Sequence, residues 1–138
     1  MDDVVGKKTI RVVAAVVERE GRYLITQRRD QAVLANLWEF PGGKVEAGES
    51  DEDALRRELR ERLDAEVHIG KKLGEKIHEY DGYRVALALY EGVLLETGRP
   101  LVVKRVKDFR WVGSSEFDQY PFPDADQQTM DQLLGFSR

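Results

Sequence analysis

A chain of 138 residues is the size of one domain built around one core. With 41% hydrophobic and 35% charged residues it has the apolar material for a packed interior, which excludes a disordered chain. The net charge of −4 argues against a long nucleic-acid partner, and the absence of cysteine excludes disulfides, thiolate metal sites and cysteine nucleophiles. No stretch approaches the roughly 20 apolar residues of a membrane span, and the first residues lack a secretory pattern, so no membrane partner is expected and the cytoplasm is the expected compartment.

Residues 1–8 read as a flexible tail and 9–138 as a single domain. Thr9 to Val17 is rich in valine, Gly21 marks a polar tip, and Tyr23 to Thr26 follows, the pattern of a strand, a hairpin turn and a second strand. Arg29 to Leu37 has no period and reads as a loop that ends at Trp38-Glu39-Phe40. Pro41-Gly42-Gly43 then predicts a sharp turn, since proline cannot donate to a ladder and glycine admits unusual backbone angles. Ser50 is the expected N-cap of a helix to about Leu63, with Leu55, Leu59 and Leu63 on one apolar stripe and Glu58, Glu61 and residue 62 on a neighbouring face. Val67 to Ile77 and Tyr83 to Val93 alternate as strands about an Asp81-Gly82 turn, and Lys107 to Val112 is a further strand with Trp111 in the core. Asp124 to Leu134 reads as a closing helix with Met130, Leu133 and Leu134 turned inward. Strands on both sides of one acidic helix, with a terminal helix, predict an α/β (α+β) fold, a three-layer αβα sandwich around a mixed sheet.

The acidic helix carries the chemistry. Phosphate esters resist hydrolysis because their oxygens repel a nucleophile, so an enzyme must position water and neutralise charge, most often with magnesium held by carboxylates, a carbonyl and waters. Glu58 and Glu61, one turn apart, can share one ion cluster. Arg57 can orient Glu49 through a bidentate contact.

The segment from Gly43 to Ala65 resembles the Nudix box, in which Gly, five residues, Glu, seven residues and Arg-Glu precede an apolar residue, any residue and Glu-Glu. Gly43, Glu49, Arg57, Glu58, Leu59 and Glu61 fit at the right spacing. The flanks Trp38 to Glu46 and Tyr120 to Asp126 are similar to those of MutT-type nucleoside-triphosphate pyrophosphohydrolases, so the likeness covers residues of about 9 to 135. The resemblance implies a Nudix-type αβα sandwich with its loop-helix-loop, magnesium or manganese as cofactor, and a nucleotide substrate cut to a monophosphate and pyrophosphate. By position it also implies Glu58 and Glu61 as metal ligands or base, Glu49 and Arg57 as supports, and the Gly42 carbonyl as a further metal ligand. Arg28 and Phe40 would lie along the nucleotide, and Asp126 at the base edge, where its acceptor oxygens suit an exocyclic amino group as on cytosine or adenine, making cytidine-type or oxidised purine nucleotides the first expected substrates.

The box is degenerate. Arg62 stands where the second glutamate of the pair belongs, and Asp64 replaces the following glycine. Spacing back from Trp111 puts another customary acidic ligand near Arg105. One charge pair at about 4 Å is worth roughly 4 kcal/mol at an effective dielectric near 20, so each exchange weakens divalent-ion binding. Three consequences stay open. Arg62 and Arg105 could contact phosphates in place of a metal, leaving a weak or altered hydrolase. Arg62 could instead pair with Glu58 or Glu61, leaving a catalytically silent nucleotide-binding or scaffolding module. Glu75, Glu79 or Asp108 could supply the lost ligand. The oligomeric state is not legible.

Overall fold

The computed structural model describes residues 8–123. The tail through residue 7, the closing helix read over 124–134 and Asp126 lie outside the described residues. Seven strands and one α-helix follow in the order β1 (Lys8–Arg19), β2 (Arg22–Gln27), β3 (Trp38–Glu39), β4 (Gly42–Lys44), α1 (Asp51–Leu63), β5 (Val67–Tyr80), β6 (Tyr83–Leu94) and β7 (Asp108–Val112), and a 3-10 helix spans Ser114–Gln119. β1 begins one residue inside the expected tail. The sheet is mixed, as expected: its path is β3-β2-β1-β6-β5, with β4 alongside β1 and β7 alongside β2. β1 and β6 are parallel, and the other pairs are antiparallel.

Local chemistry accounts for these elements. Glu20 and Gly21 both have positive φ (53° and 78°), the geometry that matches the right-handed twist of a two-residue hairpin between β1 and β2. Ser50 caps α1, its hydroxyl accepting from the Asp53 N–H at 3.1 Å. Along β1 the side chains alternate: Val13, Ala15 and Val17 join the core that contains Leu55, Leu59 and Leu63, while Ala14 and Val16 join a second core with Ile25, Leu87 and Leu89. The three leucines of α1 are fully buried, each burial contributing about 2 kcal/mol. The second core is closed by aromatic edges, Phe117 and Phe122 packing on Phe40 with ring centroids 6.1 and 6.0 Å away. Trp111 packs half-buried against the first core, with the Arg19 guanidinium 5.0 Å from its ring centre.

One expectation is corrected. Gly42 and Gly43 form no turn; neither has positive φ, and both lie in β4, paired with Ala14 and Val13 of β1. Glycine is required there for space, because a Cβ at Gly42 would overlap the Val13 backbone and one at Gly43 would overlap the Glu58 carboxylate. No helix among the described residues is long and apolar enough to cross a membrane.

Candidate active site

Glu49 lies one residue before the helix cap, and its carboxylate is held from two sides. Arg57 donates Nε to Glu49 Oε2 at 2.7 Å and Nη2 to Oε1 at 2.9 Å, and the Glu46 N–H donates to Oε1 at 2.9 Å. Hydrogen bonding to Arg57 lowers the Glu49 carboxyl to about 2. Arg57 does more than orient Glu49. Its Nη2 also donates to the Lys44 carbonyl of β4 at 3.0 Å, and its Nη1 reaches Glu58 Oε2 at 3.2 Å and Glu61 Oε1 at 3.3 Å. One guanidinium thus ties the loop, β4 and the acidic edge of α1 into a single unit.

The two off-pattern arginines enter the same cluster. Arg62 donates Nε to Glu58 Oε1 at 2.6 Å and stands 3.9 Å from Glu39 Oε2. Arg105 donates to Glu61 Oε1 at 3.2 Å. The reason it reaches the site lies in the backbone. The last carbonyls of a helix lack partners within it, and here the N–H groups of Val102, Lys104 and Arg105 supply them, bonding to Leu63 O and twice to Arg62 O at 2.9, 3.0 and 3.2 Å. Arg28 completes the cluster, donating to Glu39 at 3.2 Å and to the Val33 carbonyl at 2.6 Å.

Glu39 is the residue that sequence reasoning missed. Its carboxylate sits between Arg28 and Arg62, and burial pushes it up against the pull of both arginines. The available signal was a single charged residue between two aromatics, Trp38 and Phe40, both of which are buried. The three acids considered as stand-in ligands are elsewhere: Glu75 pairs with Lys72, Glu79 with Arg84 and Asp108 with Arg110, and none lines the cleft.

The arginines of the cluster, with Glu39, Glu58 and Glu61 but not Glu49, line a cleft of about 820 Å³. Its polar wall holds Arg28, Glu39, Gly42, Gly43, Arg57, Glu58, Glu61, Arg62 and Arg105, and its apolar lining comes from Val12, Tyr80, Tyr83, Val85, Leu87 and Phe122. Phe40 also borders the cleft, though its ring is engaged in the aromatic core, and Trp38 packs edge-on against Tyr120 at 5.1 Å. Of the two histidines, His78 lines the cleft and His68 is exposed on β5.

The donor set does not fit the metal cluster that the resemblance implies. Glu58 has both oxygens in charge-assisted bonds with Arg57 and Arg62, and Glu61 Oε1 is shared by Arg57 and Arg105. Only Glu61 Oε2 is left without a partner among the described residues, and no group of three or more His, Asp or Glu side chains there is close enough to hold an ion. The carboxylates of Glu39, Glu46, Glu49, Glu58 and Glu61 are instead engaged by the guanidinium groups of Arg28, Arg57, Arg62 and Arg105.

Comparison with known proteins agrees with this arrangement of loop, strand and helix. The NUDIX domain profile matches residues 12–132. The CTP pyrophosphohydrolase of Escherichia coli is 39% identical over 119 residues, covering 86% of this chain and 87% of that protein. The 8-oxo-dGTP diphosphatase of Haemophilus influenzae is 35% identical over 130 residues, covering 93% of each. The crystal structure of the MutT protein from Methanosarcina mazei superposes with a TM-score of 0.82 at 20% identity, over 96% of this chain and 97% of that one, a likeness of fold. On the profile match and on relatives that span most of both chains, the chain belongs to the NUDIX domain family, in the company of pyrophosphohydrolases and diphosphatases.

Proposed function

We propose that the chain hydrolyses a nucleoside triphosphate, or a related nucleoside diphosphate derivative, to a monophosphate and pyrophosphate, more slowly than relatives with a full set of box carboxylates. The carrying observation is Arg57, whose single guanidinium bonds Glu58 and Glu61 in the wall of the cleft and also holds Glu49, which lies outside that lining. In the reaction, the oxygen of water forms a bond to one phosphorus as the bond from that phosphorus to the bridging oxygen breaks. The bridging oxygen leaves with its electron pair. In this reading Glu61 takes the proton from the attacking water on Oε2, supported by that oxygen having no partner among the described residues. Arg28, Arg62 and Arg105 bind the phosphate oxygens and offset the charge that develops on them. The apolar lining receives the base, and the role read for Asp126 from the sequence is to accept a hydrogen bond from that base. CTP and 8-oxo-dGTP, the nucleotides for which two relatives are named, are the first substrates to try, and cytoplasmic nucleotide pools are the setting of this reading.

The test is pyrophosphate release from a panel of nucleoside triphosphates with magnesium or manganese. Glu58→Gln and Glu61→Gln should each lower turnover at least about tenfold while the protein stays folded. Wild-type turnover unaffected by both changes would refute the assignment. A second reading, a nucleotide-binding module without turnover, draws on the 2.6 Å clamp of Arg62 on Glu58. Nucleotide binding with no release across the whole panel would select it.

A further inference from the structure

We infer that this site binds the phosphate chain of its nucleotide without a divalent ion, with Arg62 and Arg105 supplying the positive charge that a metal would bring. The inference rests on the reading of the cleft as a nucleotide site, and it concerns how that nucleotide is held. Its first support is the state of the carboxylates. An ion bound at Glu58 would have to displace guanidinium groups from both oxygens, at 2.6 and 3.2 Å, in a cleft lined by more cations (Arg28, Arg29, Lys44, Arg57, Arg62, Arg105) than carboxylates (Glu39, Glu46, Glu58, Glu61).

The second support is the number of N–H donors that remain. Arg62 uses Nε for Glu58, with Nη1 at 3.9 Å from Glu39, and its Nη2 has no described partner. Arg105 uses Nη1 alone, leaving Nε and Nη2, and Arg28 uses Nε and Nη1, leaving Nη2. All three side chains line the cleft and keep 24 to 61% of their surface exposed, so an anion can reach them without unfolding anything.

The third support is preorganisation. Arg62 is gripped by an acid one helical turn away, and the Arg105 backbone is bonded to the Arg62 carbonyl, so the two guanidinium groups are anchored to one helix end. For Arg62 the rotamer freedom is spent before a ligand arrives, which lowers the entropic cost of forming paired hydrogen bonds to phosphate, and for Arg105 the backbone bond keeps the side chain within reach of the same site.

The experiment is calorimetric titration of the intact protein with a methylene-bridged, non-hydrolysable CTP analogue and, separately, an 8-oxo-dGTP analogue, in EDTA and in excess magnesium. The wild type should bind with dissociation constants that agree within about threefold between the two conditions. Arg62→Gln and Arg105→Gln should each weaken binding in EDTA about tenfold, and Arg62→Glu should create a preference of more than about tenfold for magnesium. If Arg62→Gln fails to fold, Arg105→Gln carries the test, since that side chain is 61% exposed. Wild-type binding more than about thirtyfold weaker in EDTA, or Arg105→Gln binding unchanged there, would overturn the inference while leaving the proposed function standing. Binding in neither condition would overturn both.

Discussion

Gly42 and Gly43 are neighbours in β4, yet each lacks a side chain for a different reason. A Cβ at Gly42 would run into the Val13 carbonyl and the Ala14 Cα, which belong to a central strand and cannot step aside. At Gly43 the collision is with the Glu58 carboxylate, the far end of a flexible side chain. Gly42→Ala should therefore cost about 3 kcal/mol of stability, as overpacking against fixed backbone does. Gly43→Ala should cost less, but by pushing Glu58 off Arg57 and Arg62 it should lower turnover at least about tenfold. Thermal melts and pyrophosphate release on the two variants separate these effects. Intact turnover in Gly43→Ala would show that the observed seat of Glu58 is not what the reaction needs.

The end of α1 shows how an element absorbs a departure from its family pattern. Asp64, at the customary glycine position, holds φ 55° and ψ 37°, and its N–H bonds to the Arg60 carbonyl at 3.1 Å. Left-handed backbone is costly for most L-residues, but aspartate tolerates it, and Arg99 lies 3.4 Å from its carboxylate. Asp64→Ala should destabilise by about 1 to 2 kcal/mol, whereas Asp64→Gly should stay within about 0.5 kcal/mol of the parent. Equal losses in chemical denaturation would assign the effect to the Arg99 contact rather than to backbone angle. Other elements were legible to the degree that they repeat. α1 announced itself through Ser50 and three leucines four residues apart, and β5 and β6 through alternation about Asp81-Gly82. β3, β4 and the 3-10 helix were not legible, because two to six residues hold too little pattern and the glycine pair imitates a turn. Within the site, the spacing of Glu49, Arg57, Glu58 and Glu61 was enough to place them together. The approach of Arg105 depends on backbone bonds to the helix end, and the seat of Glu39 depends on which strand β3 pairs with, both set by tertiary structure.

For the whole molecule, several segments distant in space or sequence are fastened by carboxylates, so its stability must depend on pH. Arg57 joins the loop at Glu49 to α1, Lys107 joins the 29–37 loop at Asp30 to the approach to β7, and Arg60 joins α1 to Glu66 before β5. In each case the hydrogen bond to the basic partner holds the carboxyl below its ordinary value. A folded-state value below the unfolded one means that the unfolded chain binds protons first as acid is added. The contribution is therefore complete above the ordinary range and is lost as pH falls through the folded values. Glu39 works in the opposite direction: burial raises it, so its protonation favours the folded state and offsets part of the loss. Because Glu39 is raised, its change is complete above the ordinary carboxylate value of 4.5, and below that value only the lowered groups act. The melting temperature should fall steadily as pH drops below the ordinary carboxylate range. For the Glu49 pair the window runs from the ordinary carboxylate value of 4.5 down to about 2. Arg57→Gln should raise Glu49 toward the ordinary range, leaving only the Glu46 N–H to lower it, and flatten the lowest part of that curve, a change of shape distinct from a uniform drop in stability. Melting curves of parent and variant between pH 2 and 7 that remain parallel would show that the Arg57 to Glu49 contact does not couple protonation to folding.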